Sequence, residues 1–164
     1  MAKRKKEIKK VLWLDDQHDD FDGYKSALFR AGYTVHNVKS VTETVEELKK
    51  EDYIAAVFDI KVLPGDGLEW IDLDKKKREE KPGFGAYLGL ELMRSLFKPG
   101  EARVKIDPPV NVDPGKVIVF SVVFDKTEEI TSFGIPGDQI VYKANSKLDT
   151  LPQLIKKIQD RNES

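Results

Sequence analysis

The fold is most strongly indicated by residues 54–59, which read IAAVFD, and by residues 60–67, which continue as IKVLPGDG. Five apolar residues run into an acid and then into a turn rich in proline and glycine. This pattern predicts a strand buried on both faces, as in the middle of a parallel sheet. Ligands of open α/β sheets bind outside the carboxyl ends of the strands. Asp59 therefore occupies either a functional position or the start of an ordinary turn, where aspartate is common.

The composition is that of a globular protein with one domain. The chain has 164 residues, of which 40% are hydrophobic and 35% are charged. It contains no cysteine, which excludes disulfides and thiolate metal sites and is compatible with the cytoplasmic location that we expect. No apolar run approaches the ~20 residues of a membrane span. The net charge of −1 argues against direct binding to nucleic acid, and six basic residues among the first ten predict a basic tail at residues 1–10.

The remaining apolar runs alternate with amphipathic segments. Because strands and helices alternate, we expect an α/β fold with a doubly wound, five-stranded parallel sheet and right-handed crossovers. Besides residues 54–59, the predicted strands cover residues 11–14, 34–38, 117–120 and 139–142. The predicted helices cover residues 21–31, 41–48, 87–97 and 126–133, with a last helix from about residue 150.

Capping residues predict where several helices begin and end. An aspartate or serine followed three residues later by glutamate is typical of a helix start, and a glycine after the last turn is typical of a helix end. The predicted starts are Asp19 or Asp20, Ser40 with Glu43, and Asp125 with Glu128, and the predicted ends are Gly32 and Gly134.

Two stretches between the third and fourth strands break the regular pattern. Residues 68–71 begin like a helix, but residues 72–81 are nearly all charged and predict irregular structure. Residues 98–116 contain several prolines and glycines. Neither stretch can build its own core, so we interpret 72–86 and 98–116 as insertions into a single domain at residues 11–160.

Acids, an alcohol and an amine follow four of the predicted strands: Asp15 and Asp16, then Asp59, then Ser121, then Lys143. These side chains should meet, because the carboxyl ends of parallel strands lie at one edge of the sheet. Three carboxylates within ~5 Å repel by ~3 kcal/mol per pair at an effective dielectric constant of 20, and a single lysine does not offset them. The set therefore predicts a divalent cation, and oxygen ligands favour Mg²⁺.

This set of residues predicts phosphoryl transfer to a carboxylate nucleophile. Asp59 would attack the phosphoryl group, while Ser121 and Lys143, with Mg²⁺, would neutralise the charge that is transferred. A metal-dependent phosphohydrolase is a weaker alternative, because Lys61 stands two residues after Asp59, where a second acid could have served as proton donor.

The chain resembles the receiver domains of two-component response regulators, which are CheY-like. The resemblance rests on LDD at 14–16, on FD at 58–59 with DG at 66–67, on VFS at 119–121 and on YK at 142–143. It implies the flavodoxin-like (βα)₅ receiver fold with an enlarged region between the third and fourth strands.

The resemblance also implies a role for each matching residue. Asp59 matches the phosphoacceptor, and Asp15 and Asp16 match the acids that hold Mg²⁺ together with Asp59. The backbone carbonyl of Lys61 would be a further protein ligand of the metal. Ser121 matches the hydroxyl residue that senses the phosphoryl group, and Lys143 matches its ion-pair partner.

Four positions depart from the receiver pattern. Leu63 replaces a proline, with Pro64 following it; Val122 replaces a small residue; and Ala144 replaces a proline. Ile140 stands where receivers usually carry an aromatic residue that changes position on phosphorylation. Tyr142 could take over that role.

The function implied is that of a stand-alone receiver that accepts a phosphoryl group on Asp59 from a sensor histidine kinase or a phosphotransfer protein. It would act on a downstream protein target and would not be an enzyme beyond its own phosphotransfer and autodephosphorylation. The alternative from another class is a receiver-like interaction module that is not phosphorylated.

Overall fold

Five parallel strands form a single sheet in the order β2-β1-β3-β4-β5. The computed structural model describes residues 9–17, 21–82 and 86–163, without the side chain of Glu163. The strands are β1 (Lys10–Leu14), β2 (Thr34–Val38), β3 (Ala55–Phe58), β4 (Val117–Ser121) and β5 (Ile140–Tyr142). Every neighbouring pair is parallel, which confirms the predicted doubly wound α/β fold.

Helices cover both faces of this sheet. The two faces follow from the alternation of side chains along each strand. On β3, Ala56 and Phe58 belong to one buried cluster, and Ala55 and Val57 belong to the other. The helices are α1 (Asp22–Arg30), α2 (Val41–Lys50), α3 (Leu68–Glu80), α4 (Leu88–Phe97), α5 (Thr127–Ser132) and α6 (Thr150–Glu163).

The two clusters divide the helices between the faces. Leu28 of α1 and Leu151 of α6 pack with the Val57 side of β3. Val41 of α2, Met93 of α4 and Ile130 of α5 pack with its Phe58 side. Strand β3 therefore lies in the middle of the sheet and between two apolar layers, as its sequence predicts.

Most of the predicted helix ends are confirmed. The Ser40 hydroxyl accepts a hydrogen bond from the Glu43 N–H at 3.2 Å and caps α2. Gly32 and Gly134 follow α1 and α5 with φ angles of 96° and 94°, a left-handed conformation that favours glycine. The prediction for Asp125 was wrong, because α5 begins after Lys126 without a side-chain cap. Asp19 and Asp20 lie outside the described residues.

The prediction that residues 72–81 are irregular was also wrong, because α3 continues to Glu80. Its few apolar residues suffice, since Trp70 and Leu73, three positions apart, are both buried. Asp74 and Arg78 form an ion pair at 3.1 Å with the spacing that supports a helix. A long-range ion pair from Lys77 also ties the helix to α4.

Residues 98–116 contain no α-helix or strand, as predicted. They form two short 3₁₀ turns, Pro99–Glu101 and Pro114–Lys116. The segment is anchored to α4, because the Ser95 hydroxyl donates to the carbonyl of the buried Val104 at 2.7 Å.

The structure bears on the predicted basic tail and on the predicted lack of a membrane span. Residues 1–8 of the predicted basic tail lie outside the described residues, and Lys10 belongs to β1, where it pairs with Glu51 at 3.0 Å. Among the helices of the described residues, none combines the length and the apolar character that crossing a membrane requires.

Candidate functional site

Three aspartates meet at the carboxyl edge of the sheet. Asp15 follows β1 and Asp59 follows β3, and these strands are neighbours. The Asp59 N–H continues the ladder by donating to the Leu14 carbonyl at 3.0 Å. Asp15, Asp16 and Asp59 each offer a carboxylate oxygen, and these oxygens lie within 4.8 Å of one another. The order of the strands therefore assembles the predicted acidic cluster.

Lys143 bridges two of these acids. Its Nζ lies 2.7 Å from an Asp15 oxygen and 2.9 Å from an Asp59 oxygen. The Lys143 side chain is only 9% exposed, and those of Asp15 and Asp59 are 0% and 7% exposed. Its ammonium also lies 4.6 Å from the centre of the Phe21 ring, where a cation is attracted to the aromatic face. The lysine thus supplies a fixed positive charge in a largely dry site.

Burial and charge act against each other on the two ionisable partners. Burial raises the pKa of Asp59, and the nearby Asp15 raises it further, while Lys143 and the Ser121 hydroxyl lower it without cancelling the rise. Burial lowers the pKa of Lys143, but the charges of Asp59 and Asp15 outweigh burial and raise it. The raised pKa of Lys143 therefore favours its charged form, whereas the raised pKa of Asp59 makes the charged form of this acid less favourable than in water.

Ser121 ends β4 and is 1% exposed. Its hydroxyl accepts a hydrogen bond from the Val123 N–H at 3.2 Å, which holds the loop after β4. A hydrogen bond from the same hydroxyl lowers the pKa of Asp59, and β4 lies beside β3. The structure thus brings Ser121 to the acidic cluster.

Lys61 lies two residues beyond Asp59, and its side chain is exposed. The Lys61 ammonium lies 5.8 Å from the centre of the Tyr87 ring, and that of Lys126 lies 5.9 Å from it. Tyr87 therefore joins the loops that follow β3 and β4. A metal-binding role for the Lys61 carbonyl stays a prediction.

The donor set fits a magnesium ion. All three side chains of the cluster are carboxylates, and Mg²⁺ prefers oxygen ligands. Three acids face one lysine, so the cluster keeps a net negative charge that a divalent cation would offset.

Replacing Asp59 by asparagine should raise the free energy of unfolding by about 1–2 kcal/mol in a buffer that contains a chelator. The folded protein favours the neutral form of Asp59, because burial and Asp15 raise its pKa. Chemical denaturation at pH 7 measures the effect, with the exposed Asp138→Asn as control. A variant less stable than the wild type would contradict this account.

Glu91 is a buried acid whose importance the sequence analysis missed. Its side chain is 4% exposed, and one carboxylate oxygen lies 2.8 Å from Lys77 Nζ and 2.6 Å from an Arg94 nitrogen. Arg94 also pairs with Glu129. This chain of charges joins α3, α4 and α5 beside a cleft of about 870 Å³. The available signal was a lone acid in the apolar segment 88–97, three residues before an arginine.

Tyr142 lies where it can respond to the loop after β4. Its hydroxyl donates to the Phe124 carbonyl at 2.8 Å, and the two rings meet edge to face at 6.3 Å. Val122 and Phe124 in this loop are 60% and 72% exposed. The loop that follows Ser121 thus presents apolar side chains to solvent.

Comparisons with solved structures agree with this architecture, whereas no family model and no curated protein matches the chain. A CheY-like response regulator receiver domain protein from Methanospirillum hungatei is 19% identical, with a TM-score of 0.56 over 95% of this chain and 98% of the other. The receiver domain of a Francisella response regulator is 18% identical, with a TM-score of 0.59 over 93% and 98%.

A third similar structure was solved with a metal ion. It is the receiver domain of a sensor histidine kinase from Pseudomonas aeruginosa, with magnesium coordinated in its active-site cleft. It is 14% identical, with a TM-score of 0.52 over 92% of this chain and 98% of the other. At these identities the similarity concerns the fold, and the chain has the fold of the CheY-like receiver domains of response regulators.

Proposed function

We propose that the protein is a response-regulator receiver that accepts a phosphoryl group on Asp59. The observation that carries this proposal is the bridge from Lys143 to Asp59 and Asp15 at the carboxyl edge of the sheet. A structural ion pair would need one acid for one lysine. The excess of carboxylates is instead what a site for a cation and a phosphoryl group requires.

In the proposed reaction an Asp59 oxygen forms a bond to phosphorus while the bond between phosphorus and the donor breaks. The product is an acyl phosphate, and the leaving group departs with the electron pair of the broken bond. Lys143 already lies 2.9 Å from an Asp59 oxygen, so its ammonium would remain beside the new phosphoryl oxygens. The Ser121 hydroxyl would donate a hydrogen bond to one of them.

The metal site would consist of Asp15, Asp16, Asp59 and the carbonyl of Lys61. When bound there, Mg²⁺ supplies positive charge that offsets the acids and the phosphoryl oxygens. Burial of Asp15 and Asp59 keeps water from screening these charges.

The proposed donor is a sensor histidine kinase or a phosphotransfer protein, and the proposed output is a contact with a downstream protein. Phosphorylation adds about −1.5 to −2 charges. The loop that follows Ser121 would respond first, because a Ser121 hydroxyl that turned to donate to the phosphoryl group would disturb the hydrogen bond that it accepts from the Val123 N–H. Tyr142 would follow through its hydrogen bond to Phe124.

A receiver-like interaction module without phosphorylation is the second candidate. It is favoured by the exposed apolar side chains of Val122 and Phe124, of which Val122 stands where a receiver usually carries a small residue.

Intact mass spectrometry after incubation with acetyl phosphate and Mg²⁺ tests the proposal. We expect an adduct of one phosphoryl group on the wild type and none on Asp59→Asn. The control Asp138→Asn changes an exposed aspartate and should retain the adduct. A folded wild type without an adduct would favour the interaction module. Continuous consumption of the donor without an adduct would favour a phosphohydrolase.

A further inference from the structure

The segment of residues 59–63 is held by backbone hydrogen bonds on both sides. The N–H of Gly89, in the first turn of α4, donates to the Ile60 carbonyl at 2.9 Å. The N–H of Val41, which begins α2, donates to the Leu63 carbonyl at 2.9 Å. The segment that carries the acceptor is therefore clamped between the starts of two helices.

Lys61 lies between these two anchored carbonyls. The anchored carbonyls lie one residue before and two residues after Lys61, and this short span of planar peptide units limits the directions that the Lys61 carbonyl can take. Further along, the Thr42 hydroxyl donates to the Pro64 carbonyl at 2.6 Å and accepts from the Gly67 N–H at 3.1 Å. The α2 side of the clamp is thus reinforced by a side chain, while the α4 side depends on backbone contact.

The contact at Gly89 has no room for a side chain. A Cβ atom there would lie 2.0 Å from the Asp59 carbonyl oxygen and 2.8 Å from the Ile60 Cα. Both are backbone atoms, so a rotamer change cannot relieve the clash. Any side chain at this position must displace either α4 or the segment that carries Asp59.

Helix α4 is firmly held in the core. Leu88, Leu92 and Met93 are fully buried in the core, and Glu91 is paired with Lys77 and Arg94. The segment that follows β3 is packed as well, since Ile60 and Val62 are buried in the same core, although Lys61 and Leu63 are exposed. A side chain at Gly89 would therefore separate the backbone of Asp59 and Ile60 from α4.

We propose that Gly89 is a positioning residue for the metal site, which it serves by fixing the backbone from Asp59 to Lys61. It would not touch the ion. Because Gly89 has no side chain, α4 can lie against the backbone that follows β3. The Gly89 N–H then orients the Ile60 carbonyl and hence the Lys61 carbonyl. This inference rests on the proposed function, because it assumes that the Lys61 carbonyl and Asp59 bind Mg²⁺.

The variant Gly89→Ala tests this role, with Gly100→Ala as the matched control. No atom lies within 4 Å of a Cβ at Gly100, so that change adds the same methyl group without a clash. We expect Gly89→Ala to weaken Mg²⁺ binding about 10-fold or more, as changes behind metal ligands do, and Gly100→Ala to leave it unchanged. Titration calorimetry measures both affinities. A folded Gly89→Ala that binds Mg²⁺ within about 2-fold of the wild type would overturn the inference.

Hydrogen exchange of the wild type provides a second test, which does not depend on the variant folding. Saturating Mg²⁺ should slow exchange of the Gly89 amide, because ion binding at the Lys61 carbonyl would tighten the clamp. The Lys98 amide, which donates to the Arg94 carbonyl at 2.8 Å at the far end of α4, is the reference and should not change. Equal exchange at Gly89 with and without Mg²⁺ would refute the role.

The two proposals fail in different ways. A wild type that binds Mg²⁺ but gains no phosphoryl adduct would refute the acceptor role, and the Gly89 comparison would still stand. A wild type that binds no Mg²⁺ would overturn the role of Gly89 directly.

Discussion

Lys143→Met should lower the free energy of unfolding by about 3–5 kcal/mol in a buffer without divalent ions. Methionine keeps the length of the side chain but removes the charge that lies 2.7 Å from Asp15 and 2.9 Å from Asp59. Two carboxylates that are almost fully buried would then lack a counter-charge. Removing one partner of a buried ion pair is costly for this reason. Urea denaturation at pH 7 measures the loss.

Two comparisons separate this effect from a general loss of packing. Lys156→Met changes an exposed lysine on α6 and should alter stability by less than about 0.5 kcal/mol. Adding Asp59→Asn to Lys143→Met should recover part of the loss, because one of the two unpaired charges disappears. If Lys143→Met were as stable as Lys156→Met, the buried ion pair would not contribute as described.

Glu91→Gln should lower the free energy of unfolding by about 3 kcal/mol at pH 7. The glutamine cannot provide the charge that Lys77 and Arg94 approach at 2.8 and 2.6 Å. The other oxygen of Glu91 is buried without a hydrogen-bond partner, so an amide nitrogen placed there would also be unsatisfied. The exposed Glu46→Gln on α2 is the matched control.

The pH dependence of the free energy of unfolding should show that the charge on Glu91 causes the difference between the wild type and Glu91→Gln. Burial raises the pKa of Glu91, but Lys77 and Arg94 outweigh burial and lower it below its ordinary value of 4.5. A lowered pKa in the folded state means that ionised Glu91 stabilises the fold above the unfolded pKa. This stabilisation is lost as the pH falls through the folded pKa. The difference between wild type and Glu91→Gln should therefore be largest near pH 7 and shrink below about pH 4.5. A constant difference would contradict the ionic explanation.

The ion pairs of Glu91 and Arg94 also connect three helices near the proposed receiver site. The partners of Glu91 connect α3, which arises from the region predicted as an insertion, to α4, and Arg94 extends the connection to Glu129 on α5. Helix α4 in turn contacts the backbone of Asp59 through Gly89. Helix α3 is thus held against α4, the helix that also contacts the backbone of Asp59.

Local patterns predicted much of the fold. Apolar runs of four or five residues located β1, β3 and β4, because a strand inside a parallel sheet is buried on both faces. Ser40 and Gly32 located the ends of helices, because capping depends on neighbouring residues. The prediction for Asp125 failed because α5 begins after Lys126, so Asp125 is not its capping residue. An aspartate three residues before a glutamate therefore does not by itself locate a helix start.

Helix α3 shows the limit of the apolar pattern. Residues 72–80 have few apolar residues, so periodicity alone predicts no helix. The helix is nevertheless held by burial of Trp70 and Leu73 and by the ion pair from Lys77 to Glu91, fourteen residues away. A long-range contact of this kind has no local signature.

The amino-acid sequence alone was sufficient to predict a parallel sheet with acids, a serine and a lysine at its carboxyl edge, because strand order and direction bring strand ends together whatever the loops do. The backbone contact of Gly89 with Asp59, the burial of Glu91 and the length of α3 depended on the folded chain. Each of these arises where segments distant in sequence pack within a few ångströms, and such distances are set by the whole core and not by neighbouring residues.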